Sequence, residues 1–215
     1  MKKIFAFSVA IMVIVTGVFA QSNNMQEVDV ELCKIGNDDQ QIRVKFIEAM
    51  QTGSSNFENI RDEMLSMDTR NQKYVSNLLD NHGWPEKLTD CANKAIFFVI
   101  QHAPLPFQEK YFQLIKEKAE QGIVQKSDVA TLEDRILKRS HKRQRYGTQT
   151  INKKTKDGTD VTYVWPVEDE EKIDELRASV GLPPMVLYLQ LVESQLKRTI
   201  IWDKNLIITD FTVSF

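Results

Sequence analysis

Gln144-Arg145-Tyr146-Gly147-Thr148-Gln149 is where the character of this chain changes. Up to Ser140 the sequence reads as one helix after another, with apolar residues three and four apart. At Gly147 that period stops. A glycine sits among a phenol, a hydroxyl and two amides, and β-branched alternation follows. The stretch therefore predicts a turn that joins a helical region to a hairpin. Its side chains suit either contact with a ligand or a plain connection.

Upstream, Met25, Val28, Leu32 and Ile35 have helical spacing, and Gly36-Asn37 reads as the stop of a short helix. A second helix is predicted over 38–51, with Ile42, Phe46, Ile47 and Met50 inward. A long third covers 57–82, its stripe running through Ile60, Met64, Met67, Tyr74, Val75, Leu78 and Leu79. Gly83 and Pro85 end it in the expected way. A fourth helix spans 89–101, with Cys91, Ala95, Phe98 and Val99 inward, until Pro104 and Pro106 break it. A fifth spans 107–121 and stops at Gly122. Ser127 is a suitable N-cap for a sixth, 128–140.

Downstream, 148–152 and 161–165 are β-prone, and Asp157-Gly158 between them signals a hairpin with a longer loop. Helices follow over 168–180 and 184–196. The tail, 199–215, is rich in β-branched residues and has room for a second hairpin through Asp203-Lys204-Asn205. The prediction is a mainly α fold: a single-domain helical bundle of about seven or eight helices. A small β-hairpin follows the sixth helix, and the C-terminal tail is β-like.

The N-terminus is a different kind of segment. Lys2 and Lys3 precede an apolar run from Ile4 to Val15, and Val18-Phe19-Ala20 resembles a cleavage site. The run is short for a span of about 20 residues, so 1–20 reads as a secretory signal peptide rather than an anchor. Nothing later is apolar for long enough to cross a membrane. The product expected is exported, periplasmic or secreted, with no stable membrane span once the signal is cut. Removing Lys2 and Lys3 leaves 26 basic against 30 acidic residues, from 28 and 30 in the whole chain. Such a balance gives no strong field for nucleic acid or an anionic surface, and no nucleic-acid partner is expected. Cys33 and Cys91 are the two cysteines. In an oxidising compartment they could form a disulfide, or they could remain buried thiols. No Cys-x-x-Cys is present, and three histidines without ligand spacing argue against a metal. No cofactor is expected.

The more informative signal is a recurring misfit, polar residues that interrupt apolar stripes. Asp39 and Arg43 are four apart and their stripe continues into Phe46 and Met50. Asn71 interrupts Met64-Met67-Tyr74-Leu78, with Asp68 beside it. His102 continues Cys91-Ala95-Phe98. Glu133 falls among Val129, Ile136 and Leu137, flanked by Asp134 and Arg135. Each alone is more simply a structural pair, a helix-to-helix hydrogen bond or a helix cap. Together they fit the way helical bundles build polar sites, because buried charge needs partners or water.

The order Asp39-Gln40-x-x-Arg43, Asn71, Gly83-Trp84-Pro85, Gln101-His102, Gln108, Asp134-Arg135, Gln144-x-Tyr146-Gly147-Thr148-Gln149 and Val180-Gly181-Leu182 resembles a family of bacterial domains of unknown function. No single piece is specific; the ordered set is. The resemblance covers 38–188. That leaves 21–37 as a lead-in with a short helix and 189–215 as a C-terminal extension. It implies no activity. Its positions largely coincide with the misfit positions, Glu133 excepted.

Three functions remain open. In a binding module, Arg43 or Arg135 would hold an anionic or amide-bearing group. Asn71 and Gln101 would line the site, and Tyr146, Thr148 and Gln149 would close over it. The ligand would be a small molecule or a cell-envelope component. In a cell-envelope hydrolase, His102 would be general acid or base, oriented by Asp134 or Glu133. Thr148 or a water would then be the nucleophile and Arg135 the charge stabiliser. In a scaffold, the same groups would form only a structural network. No Gly-x-Ser-x-Gly, His-Glu-x-x-His or P-loop favours the enzyme.

Overall fold

The computed structural model describes residues 5–154, 160–196 and 199–212. The chain is mainly α, with a small three-stranded sheet after the fifth helix. Its contacts gather into two compact units, 1–102 and 103–215.

The first unit is α1 (Phe5–Thr52), α2 (Phe57–His82) and α3 (Asp90–His102). The expected stop at Gly36-Asn37 does not occur, and α1 runs straight through it. The reason is tertiary. A Cβ on Gly36 would stand 2.8 Å from the Cβ of Ala95, so glycine here lets α3 come close rather than ending a helix. The same register joins α1 and α3 at four levels. Thr89 donates to Asp29, Cys33 is disulfide-bonded to Cys91, Gly36 meets Ala95, and Asp39 meets His102. The two helices therefore run parallel, and α2 returns between the loops. Leu32, Ile35, Ile42 and Ala49 are the buried apolar face of α1, while Ile47 and Met50, expected inward, are exposed. Gly83, at φ +68°, donates its N–H to Leu79 O and closes α2 where the sequence indicated.

In the second unit, α4 (Leu105–Glu120) packs on α5 (Lys126–Arg139). Helix α5 begins one residue before the expected Ser127 cap, and its flanking Gln125 makes no side-chain cap bond. Strands β1 (Thr150–Lys154) and β2 (Asp160–Val164) form the expected antiparallel pair, with Thr150 opposite Val164. The Asp157-Gly158 turn lies outside the described residues. The tail departs from expectation. Instead of a second hairpin, β3 (Ile200–Ile201) lies parallel to β2 and completes the order β1-β2-β3. A short α8 (Thr209–Thr212) follows. Helix α6 (Ile173–Ser179) starts later than position 168 because Asp169 accepts the Lys172 N–H in a bend of its own. With α7 (Met185–Leu196) it covers a core of Val164, Val167, Ile173, Met185 and Ile200.

Candidate functional site

In the first unit, three helices aim polar groups inward at one level. From α1, Asp39 is 1% exposed and Arg43 partly buried. Arg43 Nη2 donates to Asp39 Oδ1 at 2.9 Å, and its Nε lies 3.3 Å from Asp39 Oδ2. The same Nη2 reaches Asp68 Oδ1 of α2 at 2.5 Å, and Nη1 points at Met64 Sδ at 3.3 Å. Gln40 adds a bond to Asp39 Oδ2 at 2.8 Å. From α3, His102 Nδ1 stands 3.0 Å from Asp39 Oδ2 and 2.8 Å from Arg43 Nε. One nitrogen cannot serve both neighbours in the same way. Protonated, Nδ1 donates to Asp39; unprotonated, it accepts the Arg43 Nε–H. Phe98 stacks along the imidazole at 6.2 Å between ring centres.

Burial opposes the charge on Asp39, but the hydrogen bond and charge of His102, and then of Arg43, outweigh it and hold the carboxyl at about 2. Asp68 goes the other way. Burial raises its carboxyl, and Arg43 recovers only part of that against repulsion from Asp39. Two carboxylates that share one guanidinium nitrogen are thus pushed in opposite directions. Asn71 follows Asp68 by three residues on the stripe that already carries Met64. It is 8% exposed, and its Nδ2 has no hydrogen-bond partner. Gln101 is buried at the end of α3.

The second unit holds the turn 144–149. Gly147 has φ +68°, and a Cβ there would meet Ile173 Cδ1 at 2.9 Å and Met185 Sδ at 3.1 Å, so only glycine fits. Asp134 of α5 is fully buried and accepts four bonds from the turn. Arg145 N donates at 2.7 Å, Tyr146 N at 3.1 Å, Thr148 N at 2.9 Å and Thr148 Oγ1 at 2.9 Å. Burial raises this carboxyl while these donors pull it back. Gln144 clamps the turn from inside: Nε2 donates to Gln149 O and Trp165 O, and Oε1 accepts Gln149 N. Arg177 of α6, fully buried, donates to Tyr146 O at 2.6 Å and Pro183 O at 2.6 Å, and lies over the Tyr188 ring. Tyr188 in turn donates its hydroxyl to Thr148 O. The main-chain N–H and C=O of both Tyr146 and Thr148 are thereby held by side chains.

The inward polar groups thus fall into two sets. Arg43, Asn71, Gln101 and His102 belong to the first unit; Glu133, Asp134, Arg135, Tyr146, Thr148 and Gln149 belong to the second. Within the first unit, the carboxylate that meets His102 Nδ1 is Asp39. Asp134 is committed to the turn, and Glu133 pairs with Arg145 at 3.0 Å. The Thr148 hydroxyl, with a water one of two nucleophiles expected for a hydrolase, donates to Asp134. Arg135 is half-buried on α5. The sequence reading missed Arg177 and Tyr188. The misfit rule could have found the first, since Ile173 and Arg177 are four apart and both buried. Among the described residues, no cluster of three or more His, Cys, Asp or Glu side chains is arranged to hold a metal ion, and no helix is long and apolar enough to cross a membrane.

A family model described as "Family of unknown function (DUF6624)" matches residues 23–199. No curated protein and no solved structure matches the chain.

Proposed function

The chain belongs to that family of unknown function, so membership brings no activity with it, and we propose from its own geometry that the α1–α2–α3 unit binds a polar ligand. Its site is the cluster of Asp39, Arg43, Asp68, Asn71 and His102. One observation carries this reading. Asn71 offers a buried amide with no partner at Nδ2, three residues along α2 from the Asp68 that pairs with Arg43, in a unit where Asp39, Arg43 and His102 engage one another. Leaving a buried donor unmade costs about 1–3 kcal/mol. A protein keeps such a group most readily where something else completes it. The second unit's set reads differently. Asp134, Gln144, Arg177 and Tyr188 spend their capacity on the turn, which supports a structural role for Tyr146, Thr148 and Gln149.

We further propose that the protein works outside the cytoplasm. The charged start, apolar run and Val18-Phe19-Ala20 support export, and the disulfide fits an oxidising compartment. The ligand would then be a cell-envelope or extracellular compound.

A second reading rests on the His102–Asp39 contact. A carboxylate at Nδ1 is the arrangement that orients an imidazole for general acid–base work, and it supports a hydrolase alternative. A thermal-shift screen of the mature protein against cell-wall fragments, sugars and nucleotides tests both. Binding predicts a compound that stabilises wild type but not Asn71→Leu or His102→Ala. Turnover of that compound, lost in His102→Ala, would favour the enzyme. If no compound distinguishes wild type from the variants, the cluster is structural.

A further inference from the structure

We infer that the group recognised at this cluster is a neutral primary carboxamide, held by Asp68 and Asn71 together. This rests on the binding reading above and names the ligand's chemistry.

The charge count excludes an anion first. Asp39 and Asp68 bring two carboxylates to a single guanidinium, so with His102 neutral the cluster carries a net negative charge, and with His102 protonated it is only neutral. The guanidinium is also occupied. Nε faces Asp39 and His102, Nη2 serves Asp39 and Asp68, and Nη1 lies against the Met64 sulfur. An incoming carboxylate or phosphate would find no open fork and two like charges beside it.

What the cluster does present is an acceptor and a donor, one turn apart on the same face of α2. Asp68 receives Arg43 on Oδ1 alone, which leaves Oδ2 to accept. Asn71, three residues on, has Nδ2 buried with no partner. Side chains at i and i+3 lie about 5–6 Å apart at Cβ. A ligand edge that satisfies both must carry an acceptor and a donor side by side. A primary carboxamide does so: its C=O accepts from Asn71 Nδ2 and the syn N–H donates to Asp68 Oδ2. A trans secondary amide points these groups in opposite directions, and an ammonium group has no acceptor for Asn71. The stripe runs on from Asn71 to Tyr74 and Leu78, which line a groove of about 1170 Å³ with Met25, Val28, Trp84 and Leu88. That groove, which polar side chains such as Asp29, Asn77 and Lys87 line beside the apolar ones, begins one turn from Asn71 and could take the body of a ligand whose carboxamide ends at the pair.

The test uses three probes that differ only at one end: N-acetylalanine amide, N-acetylalanine N-methylamide and N-acetylalanine as its carboxylate. Each is titrated into the full mature protein with its disulfide intact, followed by NMR of the Asn71 side-chain NH₂ and the His102 ring. The primary amide should shift the Asn71 signals saturably. The N-methylamide and carboxylate should bind at least about tenfold more weakly, as should the primary amide to Asn71→Leu and to Asp68→Asn. Asn71→Leu replaces an unpartnered amide by an apolar group of similar shape, so it should fold at least as well as wild type. Equal or tighter binding of the carboxylate overturns the inference. So does an Asn71→Leu protein that binds the primary amide as wild type does, or the absence of any shift with it. If another compound from the screen perturbs His102 and Asn71 while the primary amide does not, the carboxamide assignment fails and the binding reading stands. If nothing perturbs either residue, both fail.

Discussion

Asp39 and Asp68 share Arg43, yet they act on stability with opposite sign. The unfolded pKa of an aspartate is about 3.9, and in the folded protein Asp39 is held at about 2. A depressed carboxyl stabilises the fold above its unfolded pKa and loses that contribution as pH falls through the folded one. Asp39 should therefore add stability at neutral pH that drains away between about pH 4 and pH 2. The surrounding Arg43, Asp68 and His102 are partly open to solvent, so the contribution is about 1–2 kcal/mol. Asp39→Asn should lower stability at pH 7 by roughly that amount or more, since His102 and Arg43 lose a buried negative charge and one of its two acceptor oxygens. It should also flatten the acid limb of a urea-denaturation pH series. An unchanged acid limb would show that Asp39 is not the titrating group. For Asp68 the sign reverses: burial raises its carboxyl, so its charge opposes folding at neutral pH. Asp68→Asn should leave the Tm at pH 7 unchanged or higher.

The elements owe their limits to punctuation in some places and to packing in others. Gly83 with Pro85, Pro104 and Gly122 mark helix ends that local chemistry enforces, and α2, α3 and α4 end or begin within a few residues of them. Gly36 has the same local signature but the opposite role, because its meaning lies 59 positions away at Ala95. No local rule can see that contact. It yields a test: Gly36→Ala raises helix propensity by about 1 kcal/mol, yet it forces a Cβ–Cβ contact of 2.8 Å. If packing governs, the variant is destabilised by about 1–3 kcal/mol despite the better helix former. If it is stabilised, Gly36 is only a weak point in a long helix. The two-residue β3 was equally hidden, since its parallel pairing with β2 joins Thr162 to Ile200. The turn at 144–149 was visible as a break in period, but its support was not. Asp134 reads as a misfit in α5, and nothing around it announces that it will accept four bonds from residues 145–148. Asp134→Ala should cost at least about 3 kcal/mol. Hydrogen exchange should lose protection first at the amides of Arg145, Tyr146 and Thr148. Unchanged protection there would contradict the clamp.

Across the whole molecule, the polar residues of the first unit were legible because α-helical stripes have a fixed period and Asp39, Asn71 and His102 break it. Which carboxylate meets His102 was not, because partner choice depends on the α1–α3 register rather than on either helix alone. That register is fixed covalently by Cys33–Cys91, and the bond also bears on where the protein resides. The cysteines are 58 residues apart in sequence, and closing a loop of that length stabilises the fold by about 4 kcal/mol in the chain-entropy model. Such a bond persists outside the cytoplasm and is reduced within it. Material recovered from the periplasm or medium should have the mass of residues 21–215 less two hydrogens. Treatment with dithiothreitol should restore those hydrogens and lower the denaturation free energy by several kcal/mol. Cytoplasmic expression of 21–215 should give the reduced form with the same loss, reversed on air oxidation. A product that keeps residues 1–20 would remove the export proposal but leave the disulfide's energetic role intact. A product cut after Ala20 with both thiols free and unchanged stability would do the reverse.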